Sequence, residues 1–513
     1  MSDRKSGLVY GIAERDITPA FSLPMAGYDG RPGHWESVHD PLLLTAQYFE
    51  SGGESAWVVS ADLCQFPDGA LKQKGFDFLT QRLGCESSAL FLNASHTHGG
   101  PVTNDHFSVP SATTRERFTP ENVGLIRRYV EWLWSVVAEA CEEARSTRCP
   151  ARLRWAEGKT VFPRNRRPLR DGQVVNAPNP GEPFEDRLRL LSVETEAGTV
   201  ALGMVLACHP TSTGSQKQIT ADYVGGWRRQ MRQRVGEDVK LFFLQACGGD
   251  ARPAFTDGGA SWKQARMEEL DRMGHLLAEE CGAVLRGGWS ELTHPIVRHA
   301  RTTVLLPCAQ LGRNDLETLR SSANYWERDY AVSCLAQISE KRKAGFEKGA
   351  RASRPLAHDA GRMPALPSLT DPGDARRNLP SEEGGAPPRE VPLDLTLLAL
   401  DRDLILAGGD YEFLHGLGRK IEAAIPVRHP VALGYTNGCV GYVPDRCELA
   451  RGGYETQSFL WERWSGPFLP QVEEAVLSGI RECHARLEMN TPPPPTITTS
   501  RSDGFHSLPP GTP

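Results

Sequence analysis

Four apolar runs of strand length, each breaking off into glycine, histidine or aspartate, constrain this chain more than anything else in it. Ala89–Ala94 runs into Ser95-His96-Thr97-His98-Gly99-Gly100-Pro101, and Thr199–Cys208 into His209-Pro210-Thr211-Ser212. Val239–Ala246 runs into Cys247-Gly248-Gly249-Asp250, and Leu404–Ala407 into Gly408-Gly409-Asp410. Short continuous apolar runs bounded by such turn signals read as strands buried on both faces. Two more, Ala56–Ala61 and Leu395–Leu400, join them; Leu395–Leu400 and Leu404–Ala407, separated by the charged Asp401–Asp403, read as a hairpin.

Amphipathic helices alternate with these strands. Ile126, Tyr129, Val130, Leu133, Val136, Val137 and Ala140 recur at three- and four-residue steps over Glu121–Ala144. A second period covers Gln264–Leu285, and a third, behind an N-cap signal, covers Asn314–Arg342. Strands and amphipathic helices interleaved in one chain predict an α/β fold: one large domain, residues 1–490, with a mixed sheet flanked by helices. Lys348–Glu390, rich in Pro, Gly, Arg and Asp with no apolar period, reads as a mobile insert, and Thr491–Pro513 as a disordered Pro-rich tail.

The net charge is −6, which gives no electrostatic reason to expect nucleic acid as partner. No apolar run is long enough to span a bilayer. The first residues lack the apolar core of a secretory signal. Twelve cysteines lie far apart without a Cys-x-x-Cys pair, which suits reduced, buried thiols in the cytoplasm.

Ligands of open α/β sheets gather beyond the carboxyl ends of strands, and that is where His96, His98, His209, Asp250, Asp410 and Glu412 fall. In an extended chain His96 and His98 would point to the same side, roughly 6–7 Å apart, as a metal ligand and a neighbouring acid, base or second ligand. Plainer readings stand beside this one. His209 suits a turn, Asp410 the N-cap of a helix opening at Tyr411, and Glu412 the favourable end of that helix's dipole. Two histidines and a carboxylate satisfy a hydrolytic zinc site with a position left for water. No His-Glu-x-x-His, Gly-x-Ser-x-Gly, Walker A or Gly-x-Gly-x-x-Gly motif occurs.

With those residues in view, the chain resembles the neutral, non-lysosomal ceramidase family of zinc amidases. The match rests on Gly11–Pro19 with Met25-Ala26-Gly27-Tyr28, and on Ala94-Ser95-His96-Thr97-His98-Gly99-Gly100-Pro101. Asn165-Arg166, Cys208-His209-Pro210-Thr211-Ser212, Tyr411-Glu412-Phe413, Gly441-Tyr442-Val443 and Tyr454-Glu455 follow in family order. The resemblance implies one Zn²⁺ per chain held by His96, His209, Glu412 and Tyr442, with His98, Arg166 and Tyr454 around the scissile amide. It departs from the family in Gly249-Asp250-Ala251-Arg252-Pro253, where Arg252 replaces a serine, in lacking the secretory signal, and in lacking the immunoglobulin-like C-terminal domain.

The function expected is that of a metal-dependent amidohydrolase cleaving a linear N-acyl amide with a metal-activated water. Its substrate would be a lipid amide or, as the departures suggest, a smaller soluble one. The rival readings are an esterase or amide-forming enzyme on the same scaffold, and a binding protein that keeps the fold without the chemistry.

Overall fold

The computed structural model describes residues 7–105, 117–352 and 389–489. The first of two stacked β-sheets contains β1 (Leu8–Asp16), β2 (Leu43–Ser51), β3 (Glu54–Ala61), β4 (Leu90–Ala94), β5 (Cys149–Lys159), β6 (Arg187–Thr195), β7 (Gly198–Leu206) and β8 (Lys240–Gln245). Their order is β8-β7-β6-β5-β1-β2-β3-β4, and Ser290–Leu292 adds a short strand against β5. Only the outermost pairs, β3–β4 and β7–β8, are parallel. The second sheet orders β9 (Pro295–Pro307), β10 (Glu390–Asp401), β11 (Leu404–Gly409) and β12 (His429–Leu433) side by side, with β11–β12 parallel.

Side-chain alternation explains the layers. On β3, Trp57, Val59 and Ala61 face the core shared with helices α1 (Gly69–Leu83) and α2 (Pro120–Ser146), while Ala56 and Val58 face the second sheet. On β8, Leu241 and Phe243 meet α3 (Tyr223–Val235) and α4 (Met267–Arg286), and Phe242 and Leu244 turn inward. The second sheet repeats the pattern: Leu404 and Leu406 of β11 close the inter-sheet core, and Ile405 and Ala407 pack beneath the outer helices. Those helices are α5 (Arg313–Arg320), α6 (Tyr325–Ala352), α7 (His415–Ala423) and α8 (Val472–Met489). Strands with a buried layer on each side carry apolar residues on both faces, which is why the runs read as nearly continuous.

The edges β4 and β8 are joined by one side chain. Fully buried Asn93 accepts from the Gln245 N–H at 2.7 Å and donates to the Gly434 carbonyl at 2.9 Å. Asn437 does the same for β4, accepting from the Leu92 N–H at 2.8 Å and donating to the Leu90 carbonyl at 3.1 Å. Two amides thus satisfy backbone groups that a buried sheet edge would leave unpaired, and they bring four strand ends together.

The structure agrees with the α/β expectation and with the Leu395–Leu400/Leu404–Ala407 hairpin, in which Leu397 pairs with Ala407. Two readings need correction. The helix expected over Asn314–Arg342 is two helices, because Ser322 and Asn324 turn the chain: Ser322 Oγ accepts from the Asn324 N–H, and Asn324 Oδ1 from the Trp326 N–H. The helix expected from Tyr411 starts at His415; Glu412–Phe413 is a short strand paired in parallel with Tyr442–Val443. Asp410 is therefore no N-cap, and instead accepts from buried Lys72 Nζ at 2.7 Å and from the Asp394 N–H. The expected insert lies outside the described residues over 353–388, with α6 running to Ala352 and β10 starting at Glu390; the expected tail also lies outside them.

Candidate metal centre

Four strands deliver the centre from their carboxyl ends. β4 leads to His96, β7 to His209, β11 to Glu412 and β12 to Tyr435. His96 does not sit in an extended chain, as strand alternation would require; its φ is +64°, in the left-handed region. A residue with a β-carbon pays roughly 1–2 kcal/mol there, and the turn folds His98 back over His96, Nε2 to Nε2 at 3.2 Å. Histidine 98 in turn needs Gly27, at φ +90°, where a β-carbon would lie 2.2 Å from the imidazole Cγ.

Backbone carbonyls set the tautomers of both inner histidines. His96 Nδ1–H donates to the Cys64 carbonyl at 2.7 Å, and His209 Nδ1–H to the Gly248 carbonyl at 2.7 Å. Each ring therefore presents the lone pair of Nε2, the arrangement that orients imidazoles on metals. Both lone pairs face one carboxylate: Glu412 Oε2 lies 3.4 Å from His96 Nε2 and 3.0 Å from His209 Nε2. Three acceptors converging in a buried place repel unless a cation lies among them, so this donor set fits a divalent metal. Burial alone would raise Glu412, but the histidines and Arg166 outweigh it and hold the carboxyl at about 2. Burial, then the neighbouring His209, pushes His96 down to about 4.

A second grouping, Cys64, His96 and His98, shares His96. It is the poorer metal site. His96 Nδ1 is already committed to the Cys64 carbonyl, so that nitrogen has no lone pair to offer beside the Cys64 sulfur.

The expected outer residues come together as well. Glu412 and Tyr442 are register partners of the short parallel pair, so both side chains leave on one face. Arg166 Nη2 donates to Tyr442 Oη at 3.2 Å, and its Nε to Glu455 at 2.8 Å. The other Glu455 oxygen takes Arg167, which also reaches Glu448. His98 is half-buried, and its buried Nδ1 has no hydrogen-bond partner among the described residues. Desolvation and the other histidines hold it well below its ordinary value, so it is a neutral imidazole. Tyr454 stands at the mouth, 48% exposed, its ring stacked on Trp461 at 4.9 Å. His96, His98, Glu412, Tyr442 and Tyr454 line one cavity of about 430 Å³.

No protein-family model matches the sequence, and no curated protein does. Solved structures do match. A neutral ceramidase from Pseudomonas aeruginosa superposes with a TM-score of 0.64 at 18% identity, covering 94% of this chain and 75% of its own. A ceramidase complexed with C2 gives 0.65 at 18% identity, covering 95% and 76%. The fold is that of a neutral ceramidase. At this identity the likeness is one of fold; the side chains within it are read from their own geometry.

Sequence reading missed two groups. Tyr435, also left-handed at φ +55°, donates its hydroxyl to Glu412 Oε2 at 3.2 Å and lays its ring 4.3 Å from that of His96. His415 Nδ1 pairs with the buried Asp250 carboxylate, and its N–H also reaches Asp250, at 3.1 Å. Neither has a sequence signal, since their partners lie far away in the chain.

Proposed function

We propose that this protein is a zinc-dependent hydrolase of N-acyl carboxamide bonds. The convergence of two tautomer-fixed imidazoles and a carboxylate at the floor of an open cavity supports this reading. The ceramidase-like fold, whose solved examples are named for an amide substrate, adds to it. One Zn²⁺ would be held by His96, His209, Glu412 and Tyr442; bound there, it supplies Lewis acidity toward a carbonyl and acidifies water.

The chain's own residues do the rest. His98, neutral and 3.2 Å from a ligand nitrogen, is placed to take a proton and return it to the departing amine. Arg166, held by Glu455, keeps a positive charge on the Tyr442 phenol. The Tyr454 hydroxyl, at the cavity wall, would donate to the carbonyl oxygen as charge develops, a contribution often worth about 3–4 kcal/mol.

The substrate in this reading is a small N-acyl compound and not bilayer lipid. No helix among the described residues is long and apolar enough to cross a membrane, and all twelve cysteines are free, which fits work in the cytoplasm. We take residues 1–490 as one catalytic unit because its ligands come from both sheets.

Elemental analysis should find about one zinc per chain, and chelation should abolish hydrolysis of N-acyl substrates until zinc is restored. Full hydrolysis by the metal-free protein would overturn the proposal, as would zinc-loaded protein that cleaves no N-acyl amide.

A further inference from the structure

One wall of the cavity is a run of aromatic rings that starts at the centre. Tyr442, the register partner of Glu412, meets Tyr454 edge-on with ring centroids 5.6 Å apart. Tyr454 stacks on Trp461 at 4.9 Å with 23° between the ring planes, and Trp461 meets Trp326 at 6.3 Å and 64°. All four rings line the cavity, and Tyr28 and Phe118 line it elsewhere. The four come from separate elements: the short strand Tyr442–Val443, the turn Tyr454–Thr456, the helix Ser458–Glu462 and the first turn of α6. Aliphatic side chains on the cavity are few and short. Among the described lining residues they are Ala26, Val102 and Val440, with no Leu, Ile or Met.

Packing accounts for part of this wall, since Trp326 and Trp461 rest on the core that holds Tyr330, Phe459 and Leu460. It does not account for Tyr454, which touches Tyr442 and Trp461 and still leaves 48% of its surface exposed. An alkyl chain gains from any apolar wall in proportion to the area covered. A ring gains more from this one, because aromatic pairs in offset-stacked or edge-to-face contact attract beyond their area burial. The 64° corner of Trp461 and Trp326 offers both contacts: a third ring lying parallel to one indole meets the other edge-on. The amidase reading also sets which end of the substrate faces the corner. Tyr454 donates to the carbonyl oxygen there, so its ring flanks the acyl group, and Trp461 stands next to it. His98, which returns the proton to the amine, lies instead against Tyr28, rings 4.8 Å apart.

We infer that the wall of Tyr454, Trp461 and Trp326 binds an aryl ring in the acyl part of the substrate, so that the enzyme prefers arylacyl amides to alkanoyl amides of the same size. Trp461 thereby acts as a specificity residue, and Trp326 completes the corner. The inference rests on the amidase reading, extending it to the chemical class of the acyl group.

The test uses a matched pair, N-phenylacetylglycinamide and N-cyclohexylacetylglycinamide, with full-length, zinc-loaded wild-type, Trp461→Leu and Trp461→Phe proteins. Wild type should favour the phenyl compound by about threefold or more in kcat/KM, although the cyclohexyl ring is the more hydrophobic. Trp461→Leu should bring that ratio close to one, and Trp461→Phe, which keeps a ring, should retain part of it. Should Trp461→Leu not fold, Trp326→Leu, on a different helix, takes its place. Thermal stabilisation of the protein by each compound supplies a readout independent of turnover. Stabilisation by the phenyl compound alone, lost in Trp461→Leu, supports the aryl site even if neither compound is cleaved, an outcome that would count against the amidase reading only. Equal turnover of both compounds, faster turnover of the cyclohexyl one, or a phenyl preference that survives in the leucine variant overturns the aryl site and leaves the amidase reading standing. If neither is cleaved, stabilisation by both, by neither, or undiminished in the leucine variant overturns the aryl site as well.

Discussion

Two histidines, the buried His96 and the half-buried His415, show how one atom's partner sets the role of an imidazole. His96 gives its Nδ1–H to a neutral carbonyl and is pushed down to about 4, so at neutral pH its Nε2 is a lone pair. His415 gives its Nδ1–H to the Asp250 carboxylate; burial alone would lower it, but Asp250 raises it to about 9, so it is a cation. The first is ready to hold a metal, and the second is half of an ion pair that anchors the start of α7 to the loop after β8. Desolvation pushes both down; the difference lies in the partner.

The largest effect expected concerns the metal. Because His209 has the same carbonyl-fixed tautomer as His96, His209→Ala should weaken zinc more than ~100-fold, beyond the usual cost of losing an outer-shell partner. Elemental analysis after dialysis should then find little metal, and normal content would remove His209 from the ligand set. Asp250→Asn should act on the opposite side of the comparison, lowering stability while zinc is retained. A shift from 6.5 to about 9 on His415 corresponds to about 3 kcal/mol. With the folded pKa raised, that stabilisation is complete below about 6.5 and drains away as pH climbs to about 9. Wild-type unfolding midpoints should fall across that window and the variant's should run flatter; parallel curves would show that the pair is not what titrates.

A smaller change is expected from Tyr435→Phe, which removes one hydrogen bond to Glu412 and should cost about 1 kcal/mol, or several-fold in zinc affinity, without disturbing the fold. Unchanged affinity in a competition titration would make Tyr435 a packing residue only. Least of all should follow from Cys64→Ser, since the carbonyl of Cys64 and not its thiol holds His96. Its zinc content should match wild type; a loss would promote the sulfur to ligand.

Much of this was legible in the sequence where the signal is local. Continuous apolar runs marked strands buried on both faces, and the residues just past their ends supplied His96, His209 and Glu412. What misled was the backbone between. His96 and His98 meet through a left-handed turn, not through strand alternation, and Glu412 belongs to a two-residue strand whose partner, Tyr442, no period announces. Tyr435 and His415 escaped for a different reason: each gains its meaning from a partner, Glu412 or Asp250, that no local pattern ties to it. The stapling of the strand ends by Asn93 and Asn437 belongs to the same class, since an asparagine inside or beyond an apolar run looks like a blemish until its amide is seen replacing a strand.

The order in which the ligands leave the ribosome follows from their places in the chain. His96 and His209 emerge early, on the first sheet, but the carboxylate that faces them waits for β11, and the Tyr442 strand comes later still. A nascent chain that has passed His209 carries two imidazoles and no acid between them. On the zinc reading, metal capture would therefore be among the last events of biosynthesis, and a chain cut short before Glu412 would keep its histidines without the carboxylate that faces them.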